Sequence, residues 1–182
     1  GSEMCIRDSY MIERRMMLEG YCVIDGKEQK SRAAFNDIII HRGTNPSVKT
    51  LIIRVNGEYL NTYVGDGIIV ATPSGSTAYN MSAGGPIVDP KAKLLLVTPI
   101  NSHSLNAKSI VLSADDEIEI EISARNHETD DSAEVSFDGD YPIKLGFGDK
   151  IVIKKAEQAT NILKLSKLSF LEILSKKMQT CI

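Results

Sequence analysis

Several features are missing from this chain, and each absence removes a class of protein. No apolar run approaches the roughly 20 residues that a membrane-spanning helix needs, and the N-terminus lacks the charged-then-apolar pattern of a secretion signal. Cysteine is scarce. Cys5, Cys22 and Cys181 are odd in number and share no C-x-x-C spacing, which argues against a disulfide framework or a zinc site and implies a reducing cytoplasm. His41, His103 and His127 lie far apart without ligand spacing and read as structural or surface residues, so no metal site is expected. An excess of basic charge is absent too: a net charge of -3 argues against a protein that grips nucleic acid by neutralising phosphates. The familiar phosphate loops G-x-x-x-x-G-K-[ST] and G-x-G-x-x-G do not occur. Gly75-Ser76-Thr77-Ala78-Tyr79 is not the G-x-S-x-G of a nucleophile elbow, which argues against a hydrolase built on Ser76 and His103.

What is present is period-two alternation. Glu117-Ile118-Glu119-Ile120-Glu121-Ile122 alternates without a break, as a strand with one face in the core and one in water requires. Asp25-Gly26, Asn56-Gly57 and Asp138-Gly139 each join two β-rich runs, and such dipeptides accept the positive φ angles of a tight hairpin. Further β-rich runs lie at 35–41, 68–71, 94–98, 109–112 and 150–154. Helical signals are few. Ser76 or Thr77 can cap a short helix to about residue 83, ended by Gly84-Gly85-Pro86, and residues 169–178 carry an apolar stripe of Phe170, Leu171, Ile173 and Leu174. Lys164, Lys167, Lys176 and Lys177 read as the wet face of that amphipathic end.

The expected fold is therefore mainly β: an antiparallel, sandwich-like pair of sheets, with one short helix after the Thr-Pro-Ser-Gly-Ser-Thr turn and one C-terminal helix. At 182 residues one core is expected. Residues 1–9 read as a cloning or mistranslation scar, 10–160 as the β domain, and 161–182 as a tail whose stripe either packs on the sandwich or docks on something absent.

Two stretches carry chemistry. In Gly65-Asp66-Gly67 through Thr72-Pro73-Ser74-Gly75-Ser76-Thr77-Ala78-Tyr79, an acidic turn feeds an apolar strand, a proline-glycine corner and a hydroxyl-rich helix start. Backbone N–H groups at a helix start favour anionic or carbonyl ligands, small residues admit a flat ring, and Tyr79 offers an aromatic wall. In Asn36-Asp37 an amide and a carboxylate open the apolar run Ile38-Ile39-Ile40, where burying them is costly unless they are paired. A carboxylate that accepts from the two hydroxyls of a ribose makes charge-assisted bonds. Each stretch can also be only a turn.

In order and spacing, Asn36-Asp37, Gly65-Asp66-Gly67, Thr72–Tyr79 and Ser82-Ala83-Gly84-Gly85-Pro86 resemble the C-terminal domain of bacterial NAD kinases. The resemblance implies phosphoryl transfer from ATP, or in some members polyphosphate, to the 2′-hydroxyl of the adenosine ribose of NAD, giving NADP. It implies Mg²⁺ at a site mostly outside this chain, and a homo-oligomer. It assigns nucleoside hydroxyls to Asn36 and Asp37, a polar edge of the dinucleotide to Asp66, and a base or carboxamide to the turn of Thr77, Ala78, Tyr79, Asn80 and Ser82. Asp140 matches a position where the family often has Gln.

Other departures are Asp37 where the family usually has Glu, and Val64 where it often has a basic or polar residue. The family's catalytic aspartate lies in a Gly-Gly-Asp-Gly loop of an N-terminal α/β domain, and these 182 residues contain no such loop. The expectation is a dinucleotide-binding half that holds no catalytic residue and is inactive alone. A related lipid or sugar kinase domain, or a non-catalytic nucleotide-binding scaffold, stands as the alternative.

Overall fold

The computed structural model describes residues 10–44, 47–103, 107–123, 132–165 and 168–179. Its strands are β1 (Met11–Ile24), β2 (Lys27–Glu28), β3 (Arg32–Ala34), β4 (Asp37–His41), β5 (Lys49–Val55), β6 (Glu58–Gly65) and β7 (Gly67–Ala71). They continue as β8 (Leu94–Ile100), β9 (Ile110–Ser113), β10 (Ile118–Ser123), β11 (Ala133–Phe137), β12 (Ile143–Leu145) and β13 (Lys150–Lys164). The helices are α1 (Tyr79–Ser82) and α2 (Phe170–Gln179). One sheet runs β2-β1-β13-β10-β5-β6 with β3 also on β1, and the other runs β12-β11-β4-β7-β8-β9. The ladders are antiparallel, as the hairpin pattern implied.

The three hairpin dipeptides adopt left-handed backbone angles: Asp25 and Gly26 at φ 50° and 74°, Asn56 and Gly57 at 52° and 81°, Asp138 and Gly139 at 52° and 76°. Strand β10 also behaves as its alternation requires. Ile118, Ile120 and Ile122 are fully buried. On the opposite face Glu119 accepts from Arg54 (3.1 Å) and Lys150 (2.7 Å), and Glu121 accepts from Arg54 (2.7 Å). Cys22 belongs to the core, where burial pushes its thiol up to about 11, beyond useful reactivity.

The sheets meet over one apolar core. From the second sheet it receives Ile38, Ile40, Ile68, Val70, Val97 and Val135. Because side chains alternate along a strand, Asp37, Ile39 and His41 look the other way, onto that sheet's outer face. There a smaller cluster of Ile69, Ala71, Leu96 and Ile100 is covered by Ala83 and Val88, so the segment after β7 forms a lid over the outer face.

Three expectations need correction. Strand β13 continues to Lys164 in register with β1 (Met11 opposite Lys164), so residues 161–164 belong to the sheet and Lys164 does not lie on a helix. Strand β1 starts at Met11, ten residues before the β run visible in the sequence. The helix after the Thr-Pro corner is split into a 3₁₀ turn over Ser74–Thr77 and the single turn α1, without a side-chain cap on either. Helix α2 forms where its stripe indicates. Ser169 and Glu172 cap it reciprocally, Ser169 N–H donating to Glu172 Oε2 (2.6 Å) and Glu172 N–H to Ser169 Oγ (3.2 Å).

Candidate functional site

The site begins with a backbone lock between two distant segments. Thr72 Oγ1 donates to the Phe35 carbonyl (2.8 Å) and accepts from the Gly75 N–H (3.0 Å), while the Thr72 N–H donates to the Asn36 carbonyl (2.9 Å). Gly75 packs so closely on this loop that an added Cβ would lie 2.0 Å from the Asn36 oxygen. Glycine is required there by space, since no side chain fits between two backbones. On the other side of the loop, the Asp138 carboxylate accepts from the N–H groups of Phe35 (2.6 Å), Asn36 (2.7 Å) and Asp37 (3.1 Å). The Asp138 hairpin and the Thr72–Gly75 corner thus hold Asn36-Asp37 from both sides.

Asp37 is 4 % exposed, and its pKa is pushed up to about 6. Burial is the main cause, and the neighbouring Asp138 charge adds to it. Asp66 lies at the β6–β7 corner. Its carboxylate faces Arg42 (Nε to Oδ1, 3.3 Å) and accepts from Asn101 Nδ2 (2.8 Å at Oδ2). Backbone bonds from Arg42 N–H to the Asp66 carbonyl and from Asp66 N–H to the Ile100 carbonyl, both 3.0 Å, fix the corner. A cavity of about 340 Å³ opens there on the outer face of the second sheet, over Ile39, with His41, Arg42, Asp66, Tyr79 and Ser136 around it. Tyr79 is 45 % exposed, so one side of its ring is free to form a wall.

Of the other expected residues, Thr77 and Ser82 are exposed and Ala78 is half-buried, with its N–H on the Gly75 carbonyl (2.9 Å). Asn80 is different. It is fully buried, and its amide donates to the Ser76 and Pro86 carbonyls (3.2 Å each) and accepts from Thr98 Oγ1 (2.6 Å). Its polar atoms tie the lid to β8, which gives it a positioning role in the fold. Asp140 is exposed, pairs with Arg32 (2.7 Å), and does not line the cavity. Ser76 is also spent internally: Oγ donates to the Pro73 carbonyl (2.7 Å) and accepts from the Val88 N–H (3.1 Å), which rules out both a helix cap and a nucleophile. His127, Cys5, Cys181 and Lys167 fall outside the described residues, as does the side chain of Lys177.

Sequence reasoning passed over Thr72, Asp138 and the His41-Arg42 pair as site residues. Asp138 was visible as a hairpin residue. Its second role, as a cap for a loop about a hundred positions away, has no local signature.

Among the described residues no three His, Cys, Asp or Glu side chains gather as a metal site. The oxygens of Asp138 and Asp66 already face N–H groups or a guanidinium. Among the described residues the donor set therefore does not fit Mg²⁺. No described helix is long and apolar enough to cross a membrane.

Two antiparallel sheets with an acidic corner, a locked Thr-Pro-Ser-Gly-Ser-Thr turn and a capped Asn-Asp loop define a two-sheet β domain with one candidate ligand site. The family model for the ATP-NAD kinase C-terminal domain matches residues 35–165, and the chain belongs to that family. It is 56 % identical over 171 residues to an NAD kinase of Agathobacter rectalis, covering 94 % of this chain and 59 % of that protein. With an NAD kinase of Lachnospira eligens it shares 47 % identity over 186 residues, covering 97 % and 63 %. Among solved structures, yeast NADH kinase complexed with NADH superposes with a TM-score of 0.86 at 28 % identity, over 92 % of this chain and 50 % of that one. The NAD kinase of Archaeoglobus fulgidus in complex with ATP gives 0.68 at 28 % identity, over 86 % and 56 %. The chain thus spans about three-fifths of the length of the bacterial relatives it matches.

Proposed function

We propose that this chain is the dinucleotide-binding half of an NAD kinase, which transfers a phosphoryl group from ATP to the 2′-hydroxyl of the adenosine ribose of NAD. One observation carries the reading: the Thr72–Gly75 corner is locked against the Asn36-Asp37 backbone, at the start of the strand whose outer face carries Asp37 and floors the Asp66–Tyr79 cavity. In this reading Asn36 and Asp37 bind ribose hydroxyls, and Asp66 takes an N–H edge of the dinucleotide. Thr77, Ala78, Tyr79 and Ser82 flank a base or the carboxamide. What these groups contribute is position, which can supply several kcal/mol of a transfer barrier when the reacting atoms are held in line.

In this reading the general base and the ATP phosphate site come from a part outside these 182 residues, in keeping with the greater length of the curated relatives. That part docks, in this reading, on the ridge formed by α2 and the paired ends of β1 and β13. Ile12 and Leu163 are cross-strand partners there at 64 % and 56 % exposure, and Leu171 is 70 % exposed.

The test is a coupled assay of the family-length protein with NAD and ATP. NADP should accumulate, this chain alone should give none, and Asp66→Asn should raise the KM for NAD about tenfold, the loss of one charge-assisted bond. A family-length protein that binds NAD no better after careful refolding than serum albumin does, or that leaves NAD unphosphorylated, would end the proposal.

A further inference from the structure

The geometry points to His41 as a further substrate-contacting residue, a neutral imidazole that donates from Nε2 to an acceptor oxygen of the dinucleotide. The inference rests on the function proposed above and adds a residue which that reading does not contain.

Strand β4 lays three outward residues in a row: Asp37, Ile39 and His41. At about 3.3 Å per residue, His41 stands about 13 Å from Asp37 along the strand, with Ile39 as an apolar floor between them. Two linked nucleotides cover that span, and a single nucleoside does not. A ligand anchored by its ribose at Asp37 therefore brings its second nucleotide to the cavity that His41 lines.

The protonation pattern of His41 is set by its neighbour. Gly43 N–H donates to His41 Nδ1 at 2.9 Å. An amide N–H can only donate, so Nδ1 offers its lone pair and the proton of the neutral ring sits on Nε2. The turn that delivers this N–H is itself fixed. Gly43 has φ 60°, and a Cβ there would lie 2.5 Å from the Glu134 carboxyl carbon, which closes the space above it. Glu134 stands opposite His41 in the β11–β4 ladder.

Besides the exposed Tyr79 hydroxyl, which stands on the single turn α1 and not on a strand, the other described polar side chains of the cavity are engaged or buried. Arg42 and Asn101 both face Asp66. The Ser136 side chain belongs to a buried residue on β11, opposite Ile39. His41 Nε2–H is the donor held on a rigid strand, and oxygen atoms of a pyrophosphate or a carboxamide are its matching acceptors.

A cap for the turn after β4 is the competing role, and two substitutions separate them. Glutamine places its amide nitrogen near the position of Nε2, and asparagine places its side-chain oxygen near that of Nδ1. In the family-length protein, His41→Gln should leave the KM for NAD within about twofold of wild type. His41→Asn should raise it about tenfold, the loss of one hydrogen bond, with kcat and melting temperature nearly unchanged. The reverse pattern, or no change of KM in either variant, overturns the proposal. ADP-ribose keeps the pyrophosphate and lacks the nicotinamide. Equal weakening of NAD and ADP-ribose by His41→Asn assigns the acceptor to the phosphate, weakening of NAD alone assigns it to the carboxamide, and either upholds the donor. Should both variants fail to fold, ¹⁵N spectra of the wild-type imidazole decide: the Nε2–H signal should shift when NAD saturates the protein, and an unmoved signal refutes the contact. A wild-type protein that phosphorylates no NAD refutes the proposed function instead.

Discussion

Asp37 shows what burying a carboxylate at a binding site costs. Its folded-state pKa of about 6 lies above the roughly 3.9 of an unfolded aspartate. Between those values the native chain keeps a proton that the unfolded chain has lost. Stability from this group is therefore complete below pH 4, declines as pH rises toward 6, and stays low above that, a loss of about 3 kcal/mol. Asp37→Asn keeps the shape and removes the titration. In urea unfolding without ligand, the variant should be more stable than wild type at pH 7, by roughly 2–3 kcal/mol, and equal to it at pH 4. Parallel pH profiles for the two proteins would show that the carboxyl is not held neutral. Sequence alone could flag Asp37 as a polar group entering an apolar strand. The Asp138 charge that faces the same loop comes from the β11–β12 hairpin, about a hundred residues away, and only folding brings it there.

At the scale of elements, local chemistry was legible wherever it was strong. The three hairpins and β10 follow from dipeptides and alternation that need no partner to be read. Strands β1 and the far half of β13 were hidden because each is specified by the other. Glu13-Arg14-Arg15 shows no clean alternation, and residues 161–164 look like the start of a tail, yet Met11 to Met16 pair against Ala159 to Lys164. A register shift between Met16 and Leu18 blurs the period further. The turn after β7 was misread for a different reason. Ser76 or Thr77 seemed free to cap a helix, but Ser76 is spent on the Pro73 carbonyl and neither short helix has a side-chain cap.

The lock at Gly75 gives a sharp prediction. Gly75→Ala must separate the turn from Asn36, because the new methyl would overlap a backbone oxygen. The expected loss is more than about 2 kcal/mol of stability, together with dinucleotide affinity. Gly57→Ala, in a hairpin with open space around the Cβ, should cost stability alone and only about 1 kcal/mol. Thermal melts and NAD titration of the pair check both statements, and equal effects would show that the 72–75 corner is not special.

The whole molecule presents one face that its own core does not use. Ile12, Leu163, Leu165, Leu171 and Met178 are all more than half exposed, and α2 meets the β1 and β13 ends around Glu13, Arg15 and Lys164. Exposed apolar side chains on the paired ends of β1 and β13 and on the adjoining α2 read as an interaction face. Charge is present at its edge: Lys164 reaches Glu13 at 3.4 Å, and the Glu13–Arg15 pair continues to Ser74 through Arg15 Nη1 (3.2 Å). The ridge is thereby connected to the turn that begins the candidate site. If the remainder of a family-length protein covers it, the isolated 182-residue chain should self-associate in a concentration-dependent way. Leu163→Glu with Leu171→Glu should make that chain monomeric without lowering its melting temperature, since neither side chain contributes to the core. The same pair of changes in the family-length protein should lower the melting temperature by several degrees, because a buried interface would then receive two unpaired carboxylates. Sedimentation and thermal melts measure these outcomes. A family-length double variant as stable as its parent would mean that the ridge faces water in the complete protein, and that the missing half approaches the site from another side.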